Sequence, residues 1–235
     1  LDIARNTFDR VSFDLIYARQ HQTLPQWRDE LHRALRMDPT HLSMYQLTIE
    51  DGTAFGDRHK RGRLPGLPND DLGADLYEMT QEMCNAAGLP AYEVSNHAKP
   101  GQESRHNLIY WRSGDWVGIG PGAHGRLTFG DQRWSSDTPL APTAWLTAVE
   151  KTGRGENSQE ILSPRERLSE SLMMGLRISE GVDLSTFLLP DAFIQKADDL
   201  ADIDLIEFKD LRLKTTVAGR PLINAILRDF FETLP

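Results

Sequence analysis

Two apolar runs with a helical stripe between them set the fold class of this chain. Val11 to Tyr17 reads VSFDLIY, a segment whose β-branched and aromatic residues suit an extended backbone. Thr23 follows, with Gln26 three residues on. That spacing is a capping box, in which hydroxyl and side-chain amide satisfy the free N–H groups at a helix start. Trp27, Leu31, Ala34 and Leu35 then recur at i, i+4, i+7 and i+8 as one apolar stripe, and Leu42 to Ile49 (LSMYQLTI) predicts a second strand. Strand, helix, strand is a βαβ unit, which implies parallel strands and a right-handed crossover. The alternation continues past a Gly- and Arg-rich loop from Gly52 to Pro68. There Asn69 caps a helix with the stripe Leu72, Leu76, Met79 and Met83, stopped by Gly88 and Pro90.

Downstream the pattern is less regular. Short strands are expected at Ala91 to Val94, Asn107 to Arg112 and Trp116 to Ile119, with a hairpin from Arg126 to Ser135 turning at Gly130 and Asp131. Thr143 to Lys151 predicts a helix, and Thr152 to Gln159 has the Gly and polar content of a linker. Ser163, Pro164 and Glu166 then combine a cap, a first-turn proline and a capping-box acid ahead of the stripe Leu168, Leu172, Met173 and Leu176. A further helix is expected over Asp191 to Ala201. A ribbon should follow at Leu205 to Phe208 and Leu211 to Lys214, turning at Lys209 and Asp210, with a closing helix at Pro221 to Phe231. The expected organisation is an α/β domain over residues 1–152 followed by a small helical, winged-helix-like module over 160–235.

Charge and cysteine content narrow the function classes. With 26 Lys+Arg against 35 Asp+Glu the formal net charge is −9, which repels nucleic-acid phosphates. Apolar runs such as Phe187 to Pro190 and Leu222 to Leu227 fall far short of the roughly 20 residues that span a bilayer. Cys84 is the only cysteine, so neither an internal disulfide nor a Cys-ligated cluster can be assembled from this chain, and a free thiol suits a reducing cytoplasm. The sequence opens on Leu1 without a signal-peptide pattern and is expected to be a piece of a longer protein.

Four places carry chemistry. Asp14 interrupts an apolar strand, with Val11, Phe13 and Leu15 on one face and Ser12, Asp14 and Ile16 on the other. It reads either as a hydrogen-bonded structural acid or as a ligand contact of the kind β/α barrels place at strand ends. Ser104 to Trp111 (SRHNLIYW) packs His106, Asn107, Tyr110 and Trp111 beside an arginine. Imidazole can ligate haem iron and aromatic faces can line a macrocycle, while a histidine among aromatics can equally be a satisfied core residue. Gly118 to Gly125 (GIGPGAHG) lets a backbone approach a ligand or another strand, or simply makes a tight turn, with His124 facing ligand, solvent or core. Its Pro121 and the lack of a following helical pattern rule out a dinucleotide fingerprint. Glu93 and the segment Ser95 to His97 add polar density without a diagnostic spacing.

Taken together and in order, SFDLIY at Ser12 to Tyr17, LSMYQLTIEDGT at Leu42 to Thr53, YEVSNHAKPG at Tyr92 to Gly101, SRHNLIYW and GDWVGIGPGAHGR at Gly114 to Arg126 resemble the HemW branch of the oxygen-independent coproporphyrinogen oxidase family. LMMGLR at Leu172 to Arg177 and EGVD at Glu180 to Asp183 resemble the start of that family's carboxy-terminal domain. The resemblance implies the last strands of an open, partial (β/α)6 radical-SAM barrel, with the cluster-binding CxxxCxxC loop upstream of Leu1. It implies S-adenosyl-L-methionine (SAM), a 4Fe-4S cluster and haem as cofactors or cargo. It also carries a SAM-contacting acid onto Asp14, and the haem-associated HNxxYW motif onto His106, Asn107, Tyr110 and Trp111, with His106 as iron ligand. Where relatives read YARPGQT, Gln20 and His21 replace the Pro-Gly pair.

The function this implies is a haem chaperone that passes haem to an acceptor protein. The alternative is coproporphyrinogen oxidation by a SAM-derived radical, with HNxxYW marking the chaperone branch. Nucleic-acid binding by the terminal module is disfavoured by the mixed charges of Glu207, Lys209 and Asp210. Sheet edges that upstream strands would cover predict a tendency to self-associate, a homodimer being one form.

Overall fold

In the computed structural model, which describes Leu1–Leu234, the expected βαβ unit forms. A short helix α1 (Asp2–Thr7) precedes strand β1 (Ser12–Tyr17), helix α2 (Leu24–Leu35) and strand β2 (His41–Gln46). The strands are parallel, in a register running from Ser12 opposite His41 to Tyr17 opposite Gln46. Thr23 accepts a hydrogen bond from the N–H of Gln26, and the Gln26 side chain accepts from the N–H of Thr23, so the capping box is complete. Helix α3 (Ala54–Lys60) and helix α4 (Asp70–Ala86, capped by Asn69) lead to strand β3 (Asn96–Ala98), which joins β2 antiparallel.

The apolar face of this sheet is what the helices cover. Phe13, Leu15, Tyr17, Leu42 and Met44 pack with Trp27 and Leu31 of α2 and with Leu76 and Met79 of α4. Tyr17 stacks on Trp27 with ring centroids 5.2 Å apart, and the buried Trp27 indole donates to Thr80 Oγ1 at 2.8 Å. Cys84 lies in the same core beside Met44, and burial pushes its thiol up to about 12. The chain's only thiol is therefore a neutral core group that no cluster or metal could use without unpacking the core.

Two expectations change in this half. The Gly52 to Pro68 segment contains α3, whose Thr53 cap accepts from the Gly56 N–H; among its seven residues only Gly56 is buried, so no apolar stripe announced it. The strand expected at Ala91 to Val94 shrinks to a single bridge between Ala91 and His97, and pairing with β2 begins only at Asn96.

From Arg105 onward the chain forms a second compact unit, the first being Leu1–Ser104. It opens with helix α5 (Arg105–Trp111), where a strand was expected. Ile109, Tyr110 and Trp111 favour strands, but the segment lacks polar/apolar alternation, and packing overrides so weak a preference. The strand expected at Trp116 to Ile119 is likewise one bridge, Trp116 to Arg126. The hairpin forms as β4 (His124–Phe129) and β5 (Gln132–Asp137), and is followed by helix α6 (Pro142–Thr152). The expected linker ends inside strand β6 (Ser158–Ile161), which pairs with β5.

Helix α7 (Pro164–Gly175) starts on a complete capping box at Ser163 and Glu166. Strand β7 (Val182–Asp183), helix α8 (Asp191–Asp202), strands β8 (Ile206–Lys209) and β9 (Arg212–Thr215), and helix α9 (Ile223–Thr233) complete the unit. The expected ribbon gains β7 as a third strand, in the order β7-β9-β8. Phe193 of α8 stacks on Phe230 of α9 at 4.6 Å. Among the described residues no helix is long and apolar enough to cross a membrane.

Thr80→Val keeps the shape of the first core but leaves the Trp27 indole N–H buried without its acceptor. The full-length variant should lose about 1–3 kcal/mol by chemical denaturation; an unchanged midpoint and slope would mean that the Trp27–Thr80 bond contributes nothing net.

Candidate functional site

Because β1 packs Phe13, Leu15 and Tyr17 against the core, its other face carries Ser12, Asp14 and Ile16. The register places Asp14 beside Ser43 and Ser43 beside Asn96, a polar row across three strands, with Ser12 and His41 in the adjacent row. Asp14 is exposed and sits third in a six-residue strand rather than at its carboxy end.

The rest of this face is closely bonded. The His41 ring meets Ser12 Oγ at 2.7 Å and Tyr92 Oη at 2.9 Å, and Tyr92 Oη accepts from the Ser104 N–H at 3.3 Å. Burial lowers the His41 pKa below the ordinary imidazole range; Arg10 pulls the same way, and Asp14 and Glu103 oppose it. Glu93, only 1% exposed, accepts from the Ser95 N–H at 3.1 Å and from the Asn96 side-chain amide. The Asn96 side-chain Oδ1 is buried with no hydrogen-bond partner among the described residues. His97, the next residue, lies opposite Leu42 and is buried.

The HNxxYW residues stand on α5, and helical geometry changes how they relate. His106, Asn107, Tyr110 and Trp111 occupy i, i+1, i+4 and i+5, which places all four within about 140° of the helix circumference. A strand would have split them between two faces, with only Tyr110 beside His106. His106 is exposed, and its ring meets the edge of Tyr110 at 4.9 Å. Tyr110 in turn packs on Trp116 at 4.7 Å, and the guanidinium groups of Arg126 and Arg133 lie 5.9 and 5.8 Å from the Trp116 ring centre. Trp116 escaped sequence reasoning because it belongs to a different segment; only its aromatic character hinted at a role.

The glycine-rich loop supports this column. A Cβ on Gly118 would lie 2.6 Å from the His124 carbonyl, and one on Gly125 would lie 2.5 Å from Ser136 Oγ, so the loop closes on its own backbone. Thr138 Oγ1 donates to the Gly120 carbonyl at 2.6 Å and accepts from the Ala123 N–H at 2.8 Å. Within this turn the His124 carbonyl takes the Trp116 indole N–H at 2.9 Å, while the exposed His124 belongs to neither ring stack. The tight-turn reading of GIGPGAHG is the one this geometry supports.

Residues 162–222 match the HemN C-terminal domain. The chain is 46% identical over 178 residues to the haem chaperone HemW of Escherichia coli, an overlap covering 75% of this chain and 44% of that protein. The chain belongs to the HemN/HemW family. A second HemW, from Bacillus subtilis, is 31% identical over 97% of this chain and 60% of its own length. Radical S-adenosyl methionine domain-containing protein 1, mitochondrial, of Dictyostelium discoideum is 38% identical over 97% of this chain and 58% of its own length. The chain thus spans about half the length of the curated relatives it matches. Among solved structures, the radical SAM enzyme coproporphyrinogen III oxidase (HemN) from Escherichia coli superposes with a TM-score of 0.76 at 19% identity, over 99% of this chain and 57% of that one. That likeness shows the fold: an α/β unit followed by the family's carboxy-terminal domain, with no closed barrel among the described strands.

The buried neutral His41 makes the first unit acid-sensitive. Its folded pKa lies below the unfolded value of about 6.5, so it contributes stability above that pH and loses it as pH falls toward the folded pKa. Denaturant midpoints taken near neutrality and about one unit below the unfolded pKa should therefore fall less steeply for His41→Gln than for the unmodified protein; parallel slopes would refute the assignment.

Proposed function

We propose that the full-length protein is a haem chaperone that binds haem along α5 and delivers it to an acceptor protein, with His106 as axial ligand. The observation that carries this is the placement of His106, Asn107, Tyr110 and Trp111 on one side of a short helix. The exposed imidazole meets the ring of Tyr110, which packs in turn on Trp116. An imidazole open to solvent and flanked by aromatic surface has the composition of a haem site. The HemW relatives are named haem chaperones, and the HNxxYW segment by which the sequence resembles that branch lies on α5.

In the same reading SAM binds in the complete protein against the open face of β1 and β2. There the exposed carboxylate of Asp14 would take a hydrogen bond from the bound molecule and orient it. The 4Fe-4S cluster that radical-SAM chemistry uses does not fit this chain's residues, since Cys84 is a buried neutral thiol. A free thiol and the absence of a spanning helix accord with a cytoplasmic protein. Coproporphyrinogen oxidation, the activity named for the HemN structure, is the competing reading, supported by likeness of fold.

In full-length protein loaded with haem, His106→Ala should abolish or shift the Soret band and the low-spin signature of imidazole coordination, while the exposed His124→Ala should leave both intact. An unchanged His106→Ala spectrum removes this residue from the site. Separately, Asp14→Asn should weaken SAM binding by ~1–3 kcal/mol, the scale of a charged hydrogen bond, with little change in Tm. A collapsed Tm with affinity kept in the folded fraction would make Asp14 structural instead.

A further inference from the structure

Although the chain carries a net charge of −9, four arginines converge on one cleft of about 390 Å³. Trp111 forms part of its wall, with Arg112, Arg133, Arg167 and Arg212 around it. Three of these guanidiniums have carboxylate partners: Arg112 bonds Glu180 through two nitrogens at 2.6 and 2.9 Å, Arg212 bonds Asp183 at 3.3 Å, and Arg133 bonds Asp115 at 3.1 Å. Arg167 differs. It is half-buried, its bond is to the Asp131 backbone carbonyl at 2.9 Å, and it has no carboxylate partner among the described residues. The Arg133 pKa is pulled down by burial, with Arg126 and Arg167 adding to the effect against Asp115 and Glu170, so the cleft already holds cations near one another in a poorly hydrated place.

A second, independent observation points the same way. The indole N–H of Trp111 is buried and has no acceptor among the described residues. A buried donor left unbonded is costly, and here it belongs to a residue that lines a cleft presenting an uncompensated guanidinium. What satisfies both is an acceptor-only anion with two oxygens, which is the chemistry of a carboxylate.

We infer that this cleft is a carboxylate subsite that receives the propionate side chains of the porphyrin, with Arg167 as the principal cation and the Trp111 indole as a second donor. The inference rests on the haem reading of α5 and extends it. Trp111 lies five residues after His106, roughly 7.5 Å further along the helix axis. Trp111 also stands about 140° around the helix from His106, so a macrocycle with its metal at His106 would reach the cleft by way of Tyr110 and Trp116, since Arg133 of the cleft wall lies 5.8 Å from the Trp116 ring centre. Porphyrins carry their carboxylates on one edge, so the helix sets which edge faces the arginines. A peptide carboxylate would satisfy the same donors but would make no use of the ring column that α5 displays beside them.

Haem and its dimethyl ester separate these possibilities, because the ester keeps the ring and iron but loses both charges. Titrated into the full-length protein and followed at the Soret band, haem should bind roughly tenfold or more tightly than the ester, the scale of a lost charge-assisted hydrogen bond. Nonspecific adsorption would reverse that order, since the ester is the more apolar ligand. Arg167→Gln should weaken haem binding by a similar factor and erase the preference over the ester, with the Soret position unchanged because iron ligation is untouched; Arg167→Lys should restore part of the preference. Equal affinity of the unmodified protein for haem and ester overturns the subsite while leaving the haem reading standing, and needs no variant to fold. An Arg167→Gln protein that discriminates as the unmodified one does also overturns it. Failure of both porphyrins to bind overturns the subsite and the haem reading together.

Discussion

The alternation of side chains along β1 is the constraint on which the first unit depends. Phe13, Leu15 and Tyr17 are committed to the core by Trp27, Leu31, Leu76 and Met79, and strand geometry then forces Ser12, Asp14 and Ile16 onto the other face. A slip of one residue against β2 would drive Asp14 into that core, so burial of the apolar face holds the register and with it the position of the carboxylate. Polar groups collect on that face, with Ile16 the apolar exception. There Ser12, His41 and Tyr92 form one hydrogen-bonded chain, and Glu93 accepts from Asn96.

The second unit achieves a different result with a similar device. Helix α5 brings residues four and five apart in sequence to one side, and the glycine-rich turn holds Trp116 where it extends that side by another ring. Arg126 and Arg133 lie over Trp116, and Arg126 is also held by Glu170 at 2.6 Å. The ring column is thus braced by cations that are themselves braced by carboxylates, a polar scaffold around an aromatic strip.

Much of this was legible from local chemistry. Thr23, Asn69 and Ser163 each announce a helix start because a short polar side chain and its neighbours satisfy the first N–H groups, and all three do so. The hairpin turn was readable from Gly130, which takes a positive φ of 62°. What was not legible depends on distant partners. α5 has seven residues of mixed preference, β7 has only two, and Trp116 and Arg167 acquire their neighbours through folding. The loop after β1 is instructive. At the position where the resembled YARPGQT segment has its glycine, His21 adopts a φ of 57°, and its N–H bonds the Gly66 carbonyl. The turn keeps a left-handed residue without the glycine that would make it easy, so tertiary contacts must hold it there. The candidate haem residues were found by motif, whereas their shared side was not, because the motif was placed on a strand.

The decisive comparison sets haem against coproporphyrinogen in the full-length protein. Offered haem, the protein should bind one equivalent and pass it to an apo acceptor; offered coproporphyrinogen III with SAM and a reductant, it should release no carbon dioxide and form no decarboxylated porphyrinogen. Catalytic decarboxylation coupled to SAM consumption, with no haem transferred, would contradict the reading of α5 as a haem-binding surface.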